Sequence, residues 1–96
     1  MRNAYIVSYD ISDPKRLRKV FKAMKGFGEH LQYSVFHCPL TPREKAILIS
    51  TVHPLINNKE DQVLIIDLGP ADGRAKNAIE SLGKPYSRAD IQAVVI

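Results

Sequence analysis

One stretch near the start of the chain constrains its fold more than any other. The run Ala4-Tyr5-Ile6-Val7-Ser8-Tyr9-Asp10 is followed almost at once by Ser12-Asp13-Pro14. Residues 3–10 are rich in aromatic and β-branched side chains, which suit a pleated, half-buried surface. In an extended chain Tyr5, Val7 and Tyr9 share one face, and Ala4, Ile6, Ser8 and Asp10 share the other. Asp13 then has the acceptor side chain of a helix N-cap. Pro14 suits the first helical position, where a missing N–H costs nothing. A strand that turns into a helix this abruptly implies a sheet with a helix laid on it. It also leaves Asp10 at the strand tip, beside the start of that helix.

The helix predicted after Pro14 has two distinct faces. Leu17, Val20, Phe21 and Met24 fall at the spacing of a buried stripe. Lys15, Arg18, Lys22 and Lys25 follow a parallel register on another face, flanked by Arg16 and Lys19. No acidic residue occurs from Pro14 to Gly28, so pairing within the helix cannot neutralise these cations. Gly26 and Gly28 mark its end.

Residues 29–40 are extended, as one long bent strand or as two short strands in a tight hairpin. Thr41-Pro42-Arg43-Glu44 is a capping box with proline at the first helical position. Leu48, Val52, Leu55 and Ile56 supply the buried stripe of this second helix, and Pro54 should kink or end it near His53. Val63 to Leu68 is apolar on both faces except at Asp67 and reads as a central strand. Gly69-Pro70 and Asp72-Gly73 mark turns. Residues 74–83 suit a short helix or a weak strand. Ile91 to Ile96 carries no charge and reads as a terminal strand that needs a cover, for which a partner subunit's sheet is a natural place. If residues 29–40 form two strands, the class is α+β. The architecture is then a ferredoxin-like β-α-β-β-α-β sandwich, with an extra C-terminal strand pairing across a homodimer. The 96 residues form a single domain, with a core of about residues 1–69 and a tail over 70–96.

Composition narrows the function. No apolar run approaches the ~18 residues of a membrane span, so no membrane partner is expected. The short run from Tyr5 to Tyr9 ends in Asp10, unlike the apolar region of a signal peptide. A single cysteine, Cys38, excludes an internal disulfide and fits a cytoplasmic location. The net charge of +4 is uneven. Residues 1–48 hold nine Lys/Arg against four Asp/Glu, whereas residues 49–96 hold five against six. A basic excess confined to one half suggests a patch facing a polyanion.

A lone carboxylate beside clustered cations points to nucleic acid and phosphodiester chemistry. Asp10 is the candidate metal ligand, and the cations gather phosphates. Arg16 and Arg18 are the foremost phosphate contacts, because a planar guanidinium matches phosphate oxygens. Lys15 and Lys19 add affinity that is independent of sequence and sensitive to salt. His30, His37, His53 and Cys38 lack the spacing of a zinc site, and nothing beside Cys38 would make it a nucleophile.

The motifs Val7-Ser-Tyr-Asp-Ile11, Arg16-Leu-Arg-Lys-Val20 and Gln32-Tyr-Ser-Val-Phe36 resemble, in order and spacing, the CRISPR-associated Cas-two (Cas2) proteins. The resemblance is strongest over residues 5–40. His30 stands where many of these proteins carry arginine, and His37 where an acidic residue is common. The resemblance implies a small ferredoxin-like homodimer and a metal-dependent endonuclease acting on single-stranded RNA or double-stranded DNA. It also implies work beside the CRISPR-associated integrase in spacer acquisition, part of antiviral defence. In that setting Asp10 is the catalytic residue and Mg²⁺, or another divalent metal, its cofactor. Asp10 and its symmetry mate could share one ion across a two-fold axis, because magnesium is satisfied by one or two carboxylates plus water. Tyr9, Ser34 and Phe36 support the site, with Phe36 in the core or dimer interface. Two other functions use the same features: a non-catalytic dimeric DNA-binding scaffold for the integrase, and a ferredoxin-like module binding a small ligand. The acid-free basic helix fits the last of these poorly.

Overall fold

The computed structural model describes residues 1–85. Four strands and two α-helices follow in the order β1 (Asn3–Asp10), α1 (Pro14–Met24), β2 (Glu29–Gln32), β3 (Val35–Leu40), α2 (Pro42–Val52) and β4 (Gln62–Pro70). The strands form one sheet in the order β2-β3-β1-β4, and every neighbouring pair is antiparallel. This is the expected ferredoxin-like sandwich, with residues 29–40 resolved as the two-strand alternative. Tyr33 and Ser34 connect β2 to β3, and Tyr33 has φ +39°, the positive value that tight hairpin turns favour.

Both helix starts follow from local chemistry. The Asp13 carboxylate accepts from the Arg16 N–H at 2.9 Å and caps α1. At α2, Thr41 Oγ1 accepts from the Glu44 N–H at 3.1 Å, while Glu44 Oε1 accepts from the Thr41 N–H at 2.8 Å. Beyond Val52 the chain tightens into a 3₁₀ turn over His53–Leu55, as Pro54 requires.

The core lies between the sheet and the helices. Tyr5, Val7 and Tyr9 from β1 meet Phe36, Cys38 and Leu40 from β3, Val20 and Met24 from α1, and Leu48 and Val52 from α2. Leu55, Ile56, Val63 and Ile65 are partly buried against this cluster. Gly28 sets the approach of the α1–β2 connection to β3. A Cβ there would collide with the His37 carbonyl and would lie 2.6 Å from Cys38 Sγ. Here glycine is needed for space.

Three expectations change. Leu17 remains 36 % exposed and does not join the buried stripe, because only Val20 and Met24 of α1 point fully into the sheet. β4 is an edge strand among the described residues, not a central one. Its two-sided apolar pattern has another cause: Val63 and Ile65 pack on the core, while Leu64 and Ile66 stand 48 % and 47 % exposed on the helix-free face. Gly69-Pro70 is not a turn, since β4 runs through it with Gly69 at φ +91°, and the chain turns only over residues 70–73. Residues 74–77 form a 3₁₀ turn. Beyond it, Ile79 to Pro85 border Ile6 across the helix-free face. The strand expected over 91–96 lies outside the described residues.

Candidate functional site

One end of the sheet gathers the chemistry. Asp10 is the last residue of β1 and pairs in register with Gln62, the first of β4. The β2–β3 turn reaches the same end, where the Ser34 carbonyl accepts from the Tyr9 N–H at 3.0 Å. The loop from Ile11 to Asp13 then leads into α1. Tyr9, Asp10 and Ser34 are thus brought together by strand pairing, with the α1 N-terminus three residues beyond.

Their environments differ. Asp10 is exposed to water, whereas Tyr9 is almost entirely buried, and burial pushes its phenol above the usual range. The Tyr9 ring stacks on Phe36 at 6.3 Å between centroids. Phe36 is fully buried and also meets Phe21 and His30, at 5.7 and 5.0 Å. It has no surface on which a base could stack, so it belongs to the core. Burial likewise pushes the Cys38 thiol up to about 11, which leaves it inert at neutral pH.

Among the described residues no three His, Cys, Asp or Glu side chains gather as a metal site. Asp10 therefore offers a single exposed carboxylate. That suits a share in a magnesium ion, whose coordination is completed mainly by water, but not a closed protein cage.

The basic residues divide into two groups. Lys15, Arg18, Lys19, Lys22 and Lys25 line a groove of about 500 Å³ together with Phe21, and Lys25 Nζ lies 4.9 Å from the Phe21 ring centre. Arg16 turns elsewhere. Its Nε donates to Asp61 Oδ2 at 2.8 Å, and its Nη2 reaches Asp61 Oδ1 at 3.2 Å, Glu60 Oε1 at 3.1 Å and Ser12 Oγ at 3.3 Å. The absence of acidic residues in the helix therefore does not leave Arg16 unpaired. Its partners arrive from a distant stretch of chain.

Asp61 is the residue that sequence reasoning missed. Its side chain is inaccessible to water. Besides Arg16 it accepts from the N–H groups of Asn57 at 2.8 Å and Ser12 at 3.0 Å. The Arg16 guanidinium, helped by these two amides, holds the carboxyl far below the usual carboxylate range. The polar stretch Asn57-Asn-Lys-Glu-Asp61 before β4 reads as an ordinary turn. Only the antiparallel pairing of Gln62 with Asp10 shows that it must meet the loop after β1.

The model of the family described as "CRISPR associated protein Cas2" matches residues 3–75. This chain belongs to the CRISPR-associated Cas2 family. It is 47 % identical over 94 residues to the CRISPR-associated endoribonuclease Cas2 1 of Rhodospirillum rubrum, covering 98 % of this chain and 91 % of that protein. It is 43 % identical to the CRISPR-associated endoribonuclease Cas2 of Geobacter sulfurreducens over the whole length of both. Among solved structures, Streptococcus pyogenes Cas2 matches with a TM-score of 0.73 and 32 % identity, over 83 % of this chain and 99 % of that one. A protein of Thermus thermophilus solved as hypothetical matches with a TM-score of 0.77 and 30 % identity, over 88 % and 94 %. The Cas2 fold thus accounts for the strand order, and the motifs that first suggested the family, Val7 to Ile11 and Gln32 to Phe36, meet at the Asp10 end of the sheet.

Proposed function

We propose that this protein is a metal-dependent endoribonuclease of CRISPR defence that works as a homodimer in the cytoplasm. One observation carries the reading. An exposed carboxylate, Asp10, ends the central β1 strand beside a basic helix, in a chain 43–47 % identical to proteins named as endoribonucleases. The exposed Leu64 and Ile66 support a dimer formed through the helix-free face. A two-fold axis on that face would set two Asp10 carboxylates at one site.

In this reading the lysines of the α1 groove and Arg18 hold the RNA backbone by charge, without reading sequence. Asp10 from each protomer would hold the divalent cation, Mg²⁺ being the expected ion. When bound, the ion supplies charge neutralisation at the scissile phosphate and acidifies water. Buried Tyr9 and Phe36 keep the strand end rigid, and the Ser34 carbonyl fixes the Tyr9 backbone next to Asp10.

Asp10→Asn tests the reading, since it keeps the shape and removes the charge. Loss of Mg²⁺-dependent RNA cleavage, with fold and RNA binding intact, is the expected result. A wild type that cleaves neither RNA nor DNA with any divalent metal would sink the proposal. A second reading is a non-catalytic, DNA-binding scaffold carrying the CRISPR-associated integrase. It is favoured by the basic groove, none of whose lining residues comes from the Asp10 strand end. Spacer acquisition that survives Asp10→Asn but fails when Arg18 and Lys19 become alanine would support it.

A further inference from the structure

We infer that Asp61 is a positioning residue: it aims Arg16 at the substrate phosphate and fixes the strand end that carries Asp10. The donors of Arg16 are unequally used. Nε and Nη2 are taken by Asp61, Glu60 and Ser12, whereas no hydrogen bond among the described residues uses Nη1. The Arg16 side chain is still 27 % exposed. A guanidinium held along one edge and open along the other is an oriented donor, and its remaining N–H groups suit a phosphate oxygen. A free surface arginine would have to lose its rotamer freedom on binding, whereas this one has already lost it in the folded protein.

The same carboxylate grips the chain next to Asp10. Asp61 accepts from the Ser12 N–H at 3.0 Å and from Ser12 Oγ at 3.3 Å. Ser12 lies two residues after Asp10, and Gln62, which follows Asp61, pairs with Asp10 across the strands. The end of β1 is therefore tied on two sides by neighbouring residues of one segment. Asn57 closes the arrangement by donating its N–H to Asp61 Oδ2 at 2.8 Å. A carboxylate that receives two backbone amides, a hydroxyl and a guanidinium has little freedom left, and neither has what it holds.

This inference rests on the nuclease reading only in taking RNA as the ligand. Binding is measured with EDTA present, so that no turnover intervenes, by the anisotropy of a fluorescein-labelled single-stranded RNA oligonucleotide. Arg16→Ala and Asp61→Asn should each weaken binding about 10-fold, the scale of a charge-assisted hydrogen bond. The double variant should be no weaker than the worse single variant, because Asp61 acts through Arg16. Additive losses would mean that Asp61 serves the fold alone. Tighter binding by Asp61→Asn would mean that the carboxylate sequesters the arginine, and unchanged binding that Arg16 does not touch RNA. Each of these overturns the inference. Should Asp61→Asn fail to fold, Arg16→Lys decides. Lysine keeps the charge facing Asp61 but has no second edge to present, so binding should fall as in Arg16→Ala. Wild-type affinity in that variant would overturn the inference. Absence of cleavage by the wild type in Mg²⁺ overturns the nuclease reading while this comparison stands, and absence of RNA binding by the wild type overturns both.

Discussion

Two carboxylates stand at the same end of the sheet, and their surroundings are opposite. Asp61, just before β4, is inaccessible to water and accepts from Arg16, Ser12 and Asn57. Asp10, at the end of β1, is exposed. Strand pairing puts their neighbourhoods side by side, since Gln62 faces Asp10. The difference separates two tasks. A carboxylate whose lone pairs are already filled stabilises structure and has nothing to offer a ligand. One that faces water contributes little to folding and remains available to a cation.

The widest gap between the two should appear in Asp10→Asn. Cleavage in Mg²⁺ should fall about 1,000-fold or more, as when a group that acts directly on the reaction is removed. The melting temperature, read by circular dichroism, should stay within about 1 °C, because surface substitutions have small effects. A large drop in melting temperature would show that Asp10 is structural after all.

Asp61→Ala should reverse that pattern in stability. Truncation strands the Arg16 guanidinium and two backbone amides, and the melting temperature should fall by roughly 10 °C. A fall no larger than that of Asp10→Asn would erase the contrast.

Acid should act through Asp61 first. Its folded pKa is depressed, chiefly by Arg16, so the unfolded chain takes up a proton at higher pH than the folded one. The stability it contributes is complete above the unfolded pKa of about 4, and declines as pH falls below that value toward the much lower folded pKa. Asp13 and Glu44, lowered chiefly by the backbone amides of Arg16 and Thr41, act in the same sense at half-buried positions. Urea titrations at pH 5 and at more acid values should show this loss, and Asp61→Asn should flatten it. The smallest effect is expected on the cation side. Arg18→Ala should weaken RNA binding a few-fold and reduce the slope of log affinity against log salt by about 1. An unchanged slope would place the phosphate path off the α1 groove.

Much of this was legible in advance where local chemistry decides the outcome. The Asp13 cap, the Thr41–Glu44 capping box and the stop at Pro54 are short-range arrangements that sequence spacing specifies, and the structure bears them out. The alternation of Tyr5, Val7 and Tyr9 gave the core face of β1 correctly. Distant partners decided the rest. Leu17 has the spacing of a core residue, but whether the stripe reaches it depends on where the sheet ends. β4 has the composition of a central strand, but its place at the edge depends on topology.

The sequence by itself determined the alternation of strands and helices, the family motifs, and the presence of a strand-end aspartate beside clustered cations. Each follows from steric preference, periodicity or hydrogen bonding over a few residues. Only the tertiary structure decided which charges remain available. It joined Asp61 to Arg16 across 45 residues of chain and left Asp10 in water. The physical reason is that burial and pairing are properties of three-dimensional neighbours. Two aspartates alike in sequence become one structural and one available carboxylate only when the sheet closes around them.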